Sequence, residues 1–293
     1  MSQVAQPANS PAPDNTDEAG TDSAVAILVP RTSLAERVLR VGVPVLMLLV
    51  AILAWHLTVT LNDIPKYILP GPADVAQSLY TDWPTLWPAL LVTLRITLLA
   101  LVLALIGGVA LAIVLVQSRW VELALFPFAV ILQVTPIVAI APLLLVYTQP
   151  QTALLICSFL VAFFPILSNM VAGLKSVDHN LLNLYDLYGA SRWQTLLYLK
   201  IPAAMPYFMA GLRIGGGLAL IAAVVAEFAA GSAGQGSGLA YRLLESQYRL
   251  NIPRLFAALI LLTGTGVAIF GLTSFISWLV LHRWHESAIR REN

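Results

Sequence analysis

Cysteine is almost missing from this chain of 293 residues, with Cys157 standing alone. An intrachain disulfide and a multi-cysteine zinc site are therefore both excluded, and Cys157, set in an apolar run, reads as a buried packing residue. Charge is scarce as well, at 11% of residues against about 25% in an average soluble domain. The 15 acids and 16 bases nearly cancel, so no global field of either sign points to nucleic acid or to a cationic ligand. Lys and Arg do not occur before Arg31, whereas a secretory signal opens on a basic stretch. The lysines Lys66, Lys175 and Lys200 follow Pro65, Leu174 and Leu199. None of them completes the G-x-x-x-x-G-K-[ST] cradle that a nucleotide-driven machine needs. His56, His179, His282 and His285 fall at different ends of the expected topology, which predicts no shared metal site. The helical spacing of His282 and His285 needs no more than a cationic helix end.

What the chain has instead is apolar length, with 59% hydrophobic residues. A bilayer core takes about 20 helical residues, and six stretches qualify or nearly do, at 38–61, 88–117, 120–147, 152–174, 204–230 and 255–281. The expected fold is an all-α polytopic membrane bundle of six transmembrane helices. Residues 1–36, rich in Ala, Pro, Ser and Asp, are expected to form a disordered cytoplasmic tail. Residues 37–286 then form the transmembrane domain, and 287–293 a second cytoplasmic tail. With the N-terminus inside, ten bases lie on inside segments: Arg31, Arg37, Arg40, Arg119, Lys175, Arg192, Lys200, Arg283, Arg290 and Arg291. Four lie outside, namely Lys66, Arg242, Arg249 and Arg254. That asymmetry predicts both termini in the cytoplasm. Trp55, Trp83, Trp87, Trp120, Trp278 and Trp284 fall near the expected interfaces, where amphipathic rings settle.

Pro127, Pro136 and Pro142 interrupt the third stretch and Pro165 the fourth, each removing a backbone donor and bending or breaking its helix. Gly107, Gly108, Gly215, Gly216, Gly217, Gly264 and Gly266 offer faces on which helices approach closely. Transport and tight bundle packing remain open on these residues alone. Glu227, near the outer end of the fifth stretch, reads as a structural or vestibule residue, with a proton relay as the alternative. Arg95, in VTLRIT, reads as snorkelling to the outer interface, with substrate binding as the alternative. The run Gly234-Gln-Gly236-Ser-Gly238 follows a membrane helix and no strand, so it reads as an exterior turn and not a dinucleotide site.

The loop between the fourth and fifth stretches, residues 175–203, is the most informative segment. Asp178 is a plausible N-cap, and Leu181, Leu184, Tyr185 and Tyr188 follow at i, i+3, i+4 and i+7, the stripe of an amphipathic helix. Gly189 stands where a helix ends in left-handed geometry. Ser191 caps a second short helix, expected to stop at Pro202. The apolar residues of this water-side loop need a cover, which could be the lipid interface, the bundle itself or another subunit.

The segment NLYDLYGASRWQTLLYLKIP resembles the EAA loop of permease subunits from bacterial ATP-binding-cassette importers, written E-A-A, three residues, Gly, nine residues, Ile-x-Leu-Pro. Gly189 matches the glycine and Leu199-Lys200-Ile201-Pro202 the ending, while Asn183, Leu184 and Tyr185 occupy the E-A-A positions. Over about residues 50–285, IPKYILPGPADV, QVTPIVAIAPLL, VAFFPILSNMVAGLKSVD, MAGLRIGGGLALIAAVVAEF and GSGLAYRLLESQYRLNIPRLFAAL are similar in order to the nitrate, sulfonate and taurine type of permease. VYTQPQTA departs from the usual glycine-containing turn.

The resemblance implies a cytoplasmic coupling loop in which Asn183, Leu184, Tyr185, Gly189, Leu199, Ile201 and Pro202 engage an ATPase. It also implies a translocation path or gate, to which Arg95, Pro136, Pro142 and Glu227 are assigned. The implied partners are ABC ATPase subunits, an extracytoplasmic solute-binding protein, a second permease copy, forming a homodimer, and membrane lipid; nucleic acid is not among them. The chain is expected to sit in a bacterial inner membrane, to be no enzyme, and to bind no cofactor, ATP and Mg being held by the partner subunits. Similar permeases serve nitrate, sulfonates and taurine, or pyrimidine-like and riboflavin-like heterocycles, and the nearly charge-free spans favour a heterocycle. Two other readings stand beside this one: a self-sufficient secondary transporter using Glu227, and a membrane assembly subunit that transports nothing.

Overall fold

The computed structural model describes residues 34–231 and 237–282, in a chain of two compact units, residues 1–52 and 53–293. Within the first unit the described part is the opening of one apolar helix, α1 (Leu34–Leu61). The second unit continues α1 and adds α2 (Pro72–Thr81), α3 (Trp83–Gln117), α4 (Arg119–Val134), α5 (Ile137–Tyr147) and α6 (Pro150–Lys175). There follow α7 (His179–Leu187), α8 (Arg192–Thr195), a π turn (Leu196–Lys200), α9 (Ile201–Ala230), α10 (Leu239–Tyr248) and α11 (Ile252–Leu281). Among the described residues there is no strand. Five helical segments are long and apolar enough to cross a membrane, and six if α4 and α5 together count as one. The expected tails lie mostly outside the described residues, as do Gly234 and Gly236 of the glycine run.

The third apolar stretch, expected as one span over 120–147, is two helices meeting at a bend of 94°. The break falls at Thr135 and Pro136, both extended, at ψ 124° and 119°. Pro136 offers no N–H to the preceding turn, and its ring disfavours helical geometry at the residue before it. Pro127, Pro142 and Pro165 are instead carried inside α4, α5 and α6. The expected stop at Pro202 is also overturned. Helix runs from Arg192 through to Ala230 over 39 residues, because the chain loosens into a π turn just ahead of the proline. There the Ile201 N–H donates to the Leu196 carbonyl, five residues back. Pro202 follows directly, as the second residue of α9 and inside the continuous run.

At the centre of the second unit, α6 packs between α3 and α9. Glycine makes this possible: a Cβ at Gly173 would lie 2.8 Å from Tyr207 Cβ and 2.9 Å from Ala204 Cα. One at Gly211 would lie 3.2 Å from Ile166 Cα, one at Gly215 2.9 Å from Ile166 Cδ1, and one at Gly108 3.0 Å from Ile166 Cγ2. Small residues of this kind bring backbones together where lipid supplies no hydrophobic drive for association. Ala104, Ala112, Ala162, Ile166, Leu167 and Ala204 are fully buried in this core. A second cluster, with Val75, Leu86, Ala89, Leu239, Ala257 and Ala258, gathers at the end of the bundle that carries α2 and α10. Cys157 is buried in a third. Of the glycines expected at close contacts, Gly217 and Gly264 have no atom within 4 Å of the place a Cβ would take, so the close approach does not extend to them.

Gly173→Val is accordingly expected to destabilise the bundle by about 1–3 kcal/mol through overpacking, read as a lower melting temperature of the detergent-solubilised chain. Gly217→Ala should leave that temperature unchanged or raise it, since it fills open space and improves helix propensity.

Candidate functional site

At one end of the bundle, the connection from α6 to α9 is built from local signals. The Asp178 carboxylate accepts from the Asn180 N–H at 2.8 Å and opens α7. Most of the stripe of α7 does not sink into the core: Leu181 and Leu184 are exposed and Tyr188 more so, at 81%, with Tyr185 half-buried, and Leu187 beside them is 83% exposed. Gly189 turns the chain at φ +67°, in the left-handed region that costs other residues about 1–2 kcal/mol. Ser191 and Gln194 form a reciprocal capping box for α8. Trp193, Leu197 and Tyr198 are exposed beyond it, at 70%, 56% and 67%, whereas Leu196 is buried in the main core with Ile201 packed against it.

The motif residues thus divide. Asn183, Leu184 and Gly189 are exposed and Tyr185 is half-buried, while Leu199, Ile201 and Pro202 are half-buried at the root of α9. A paired Lys175 and Glu122 join α6 to α4 at the same end. The structure places an exposed apolar ledge on a capped turn, leading into a helix that crosses the bundle.

At the opposite end Glu227 is 4% exposed, and it closes a compact polar joint. Thr93 Oγ1 donates to Glu227 Oε1 at 2.8 Å and accepts from the Leu239 N–H at 2.9 Å. The Ala240 N–H donates to Glu227 Oε2 at 2.9 Å. Both carboxylate oxygens are thereby engaged at the first turn of α10, where free backbone donors and the helix dipole favour negative charge. Gly238 is required by packing, because a Cβ there would overlap the carboxylate itself. In the sequence Glu227 and Gly238 stand out separately. Their meeting with Thr93, 134 residues before Glu227, has no local signature.

Beside this joint the arginines expected outside form a network. Arg242 Nη1 donates to Glu245 Oε2 at 2.8 Å, and Arg249 Nη2 lies 3.0 Å from Glu245 Oε1. Arg254, 9% exposed, lies 3.7 Å from Glu245 and 3.9 Å from Asp82, whose other oxygen accepts from Ser78 at 2.7 Å. The hydrogen bond from Arg242, with Arg254 and Arg249 alongside, holds the Glu245 carboxyl below its ordinary value. Lys66 does the same to Asp74 at the start of α2.

The other expected path residues are not gathered round Glu227. Arg95 is exposed and lines a separate cavity between α3 and α6. Pro136 and Pro142 are exposed on the bent pair. Arg213, on α9, lies over the Phe270 ring at 5.9 Å.

These elements make an α-helical bundle in which five helical segments, or six with the bent pair, are long and apolar enough to cross a membrane, with an exposed apolar ledge at one end and a hydrogen-bonded joint at the other. Residues 100–291 match the family described as binding-protein-dependent transport system inner membrane component. A probable ABC transporter permease protein of Haemophilus influenzae is 34% identical over 242 residues, covering 82% of this chain and 96% of that protein. The riboflavin transport system permease protein RibX of Chloroflexus aurantiacus is 34% identical over 257 residues, covering 84% and 91%. Among solved structures, the crystal structure of an amino acid ABC transporter with histidines shares the fold. It aligns at a TM-score of 0.58 and 18% identity over 69% of this chain and 96% of that one. The chain belongs to the family of inner-membrane permease components of binding-protein-dependent ABC transport systems.

Two outcomes test the joint and its network. Gly238→Ala and Thr93→Val are each expected to cost about 1–3 kcal/mol, read as a lower melting temperature with easier proteolysis between α9 and α10. Glu245, with its depressed pKa, contributes stability above the ordinary glutamate range and loses it as pH falls through the folded value. Amide exchange in α10 should therefore quicken on acidification, and Glu245→Gln should flatten that dependence.

Proposed function

We propose that this chain forms the membrane path of an importer for a small solute, handed over by an extracytoplasmic binding protein and driven by separate ATPase subunits that seat on α7 and α8. The reading is carried by the apolar ledge around Gly189, exposed at the root of a helix crossing the whole bundle. The EAA-like spacing and the family membership support the same assignment. In this reading the α7 and α8 end is cytoplasmic, as are both termini, and the α2 and α10 end is exterior.

The ATPase grips Leu184, Tyr185 and their neighbours, and Leu199, Ile201 and Pro202 pass its movement into α9. A second copy covers the exposed apolar faces of α4 and α5, with Pro136 and Pro142 at the gate. The solute is either a riboflavin-like or pyrimidine-like heterocycle, in keeping with the likeness to a riboflavin permease, or a nitrate-, sulfonate- or taurine-like anion. Glu227 serves the exterior joint. With both oxygens already accepting hydrogen bonds, it is poorly placed to carry protons as a self-sufficient transporter would require.

Gly189 gives the sharpest test, because no atom lies within 4 Å of a Cβ there and only backbone strain changes. Gly189→Val should reach the membrane in near-normal amount yet lose ATPase co-purification and uptake. Gly189→Asn, which tolerates the left-handed region, should retain both. Normal uptake by the valine variant would overturn the coupling role. Sidedness is tested by Ser191→Cys on a Cys157→Ser background, which should resist impermeant maleimide in intact cells and react after lysis.

A further inference from the structure

We infer that the recess at Arg95 is a station on the solute path that holds a small organic anion by its carboxylate or sulfonate head, an inference that rests on the importer reading above. The recess has a volume of about 220 Å³. Arg95 supplies its charge, Gln151 and Thr152 its neutral polar groups, and Val92, Ile96 and Leu155 its apolar walls. Among the described residues no acid lines it. Among the same residues Arg95 makes no ion pair, and neither does Arg213 on α9, whereas arginines 242, 249 and 254 all do; unlike Arg213, which lies over Phe270, Arg95 faces a recess.

A guanidinium stays charged at any physiological pH and offers five N–H donors in a planar fork, with no acceptor. Arg95 stands 12 residues into α3, about 18 Å along the helix from Trp83. That puts it two residues beyond Thr93, near the exterior joint, where an uncompensated charge on an apolar helix is normally turned toward a polar cavity and away from lipid. The other polar groups on this stretch of α3 are already used: Thr93 binds Glu227 and Leu239, and Thr97 Oγ1 donates to the Thr93 carbonyl. Arg95 alone is left to meet something that enters.

The dimensions narrow what enters. Sites for drug-sized ligands occupy about 300–1,000 Å³, so this recess suits a single ring or a short chain. Its apolar walls favour an organic body over a bare inorganic ion, and its one cation favours one anionic head. Ile96 and Gln151 also border the narrow cavity over Glu227, whose two oxygens are engaged within the exterior joint and make no claim on Arg95. The recess therefore outweighs the nearly charge-free spans, which by themselves favour a weakly charged heterocycle.

Benzoate and its neutral isostere benzamide are suitable probes. The full chain, carrying Thr152→Cys on a Cys157→Ser background, is placed in phosphatidylcholine nanodiscs, and the rate of maleimide labelling is followed. Gln151→Cys provides a second reporter should the first fold poorly. Saturating benzoate should slow labelling at least about tenfold. Benzamide should not, Arg95→Gln should abolish the protection, and Arg95→Lys should keep part of it.

No effect of benzoate, equal protection by benzamide, or protection that survives Arg95→Gln would each overturn the assignment. Slowing produced by phosphatidylglycerol alone, with nothing added by benzoate, would also overturn it by making the occupant a lipid headgroup. ATPase co-purification from the same cells separates the two levels. If it persists while benzoate fails, only the Arg95 assignment falls, and if it too is absent the importer reading falls with it.

Discussion

The near-contact of backbones between α6 and α9 is the constraint from which the rest of the second unit follows. In lipid, two apolar helices gain little by hiding from solvent, so what holds them is the density of contact their surfaces allow. Gly173, Gly211 and Gly215 lie along one seam, with Ile166, Ala204 and Tyr207 filling the space where side chains would otherwise stand. Gly108 repeats the device between α3 and α6. Once α6 is gripped on both sides, α9 has little freedom in position. Everything attached to its two ends inherits that placement.

The two ends are finished by different chemistry. At the Gly189 end the chain uses local grammar, with side-chain caps at Asp178 and Ser191 and one residue in left-handed geometry. At the Glu227 end it uses a long-range joint in which a carboxylate from α9, a hydroxyl from α3 and two amides from α10 satisfy one another away from water. The first kind can be rebuilt one residue at a time, since each cap serves only its neighbours. The second requires its members together, because removing one leaves a buried donor or acceptor without its partner.

This difference explains how much the sequence discloses. Span positions, the cap of α7, the turn at Gly189 and the start of α8 are local in origin and legible. The family-like spacing from Gly189 to Pro202 is legible for the same reason. The bend at Pro136 is foreseeable as a break, but its angle depends on how α5 docks against α6 and α9. The continuation through Pro202 defeats a local reading, because a helix can carry a proline, as α4, α5 and α6 also do, and here a π turn precedes it. The partnership of Thr93 with Glu227 is invisible in the sequence, as a threonine in an apolar helix has many uses. The exposed Arg95 is visible as a residue, while the cavity beside it needs α6 in place.

The unbroken run from Arg192 to Ala230 has a mechanical consequence. At 39 residues and 1.5 Å per residue it is a continuous helix about 58 Å long, held near its middle by the glycine seam, with the π turn, Pro202 and Pro206 all on the Gly189 side of that grip. A rod held at its middle is a first-class lever. Rocking it by about 5° displaces each tip by about 2–3 Å in opposite directions, enough to break the hydrogen-bond geometry of a joint whose distances all lie below 3 Å. A displacement of the Gly189 end that the helix carries as one body would therefore appear, reversed, at the Glu227 end.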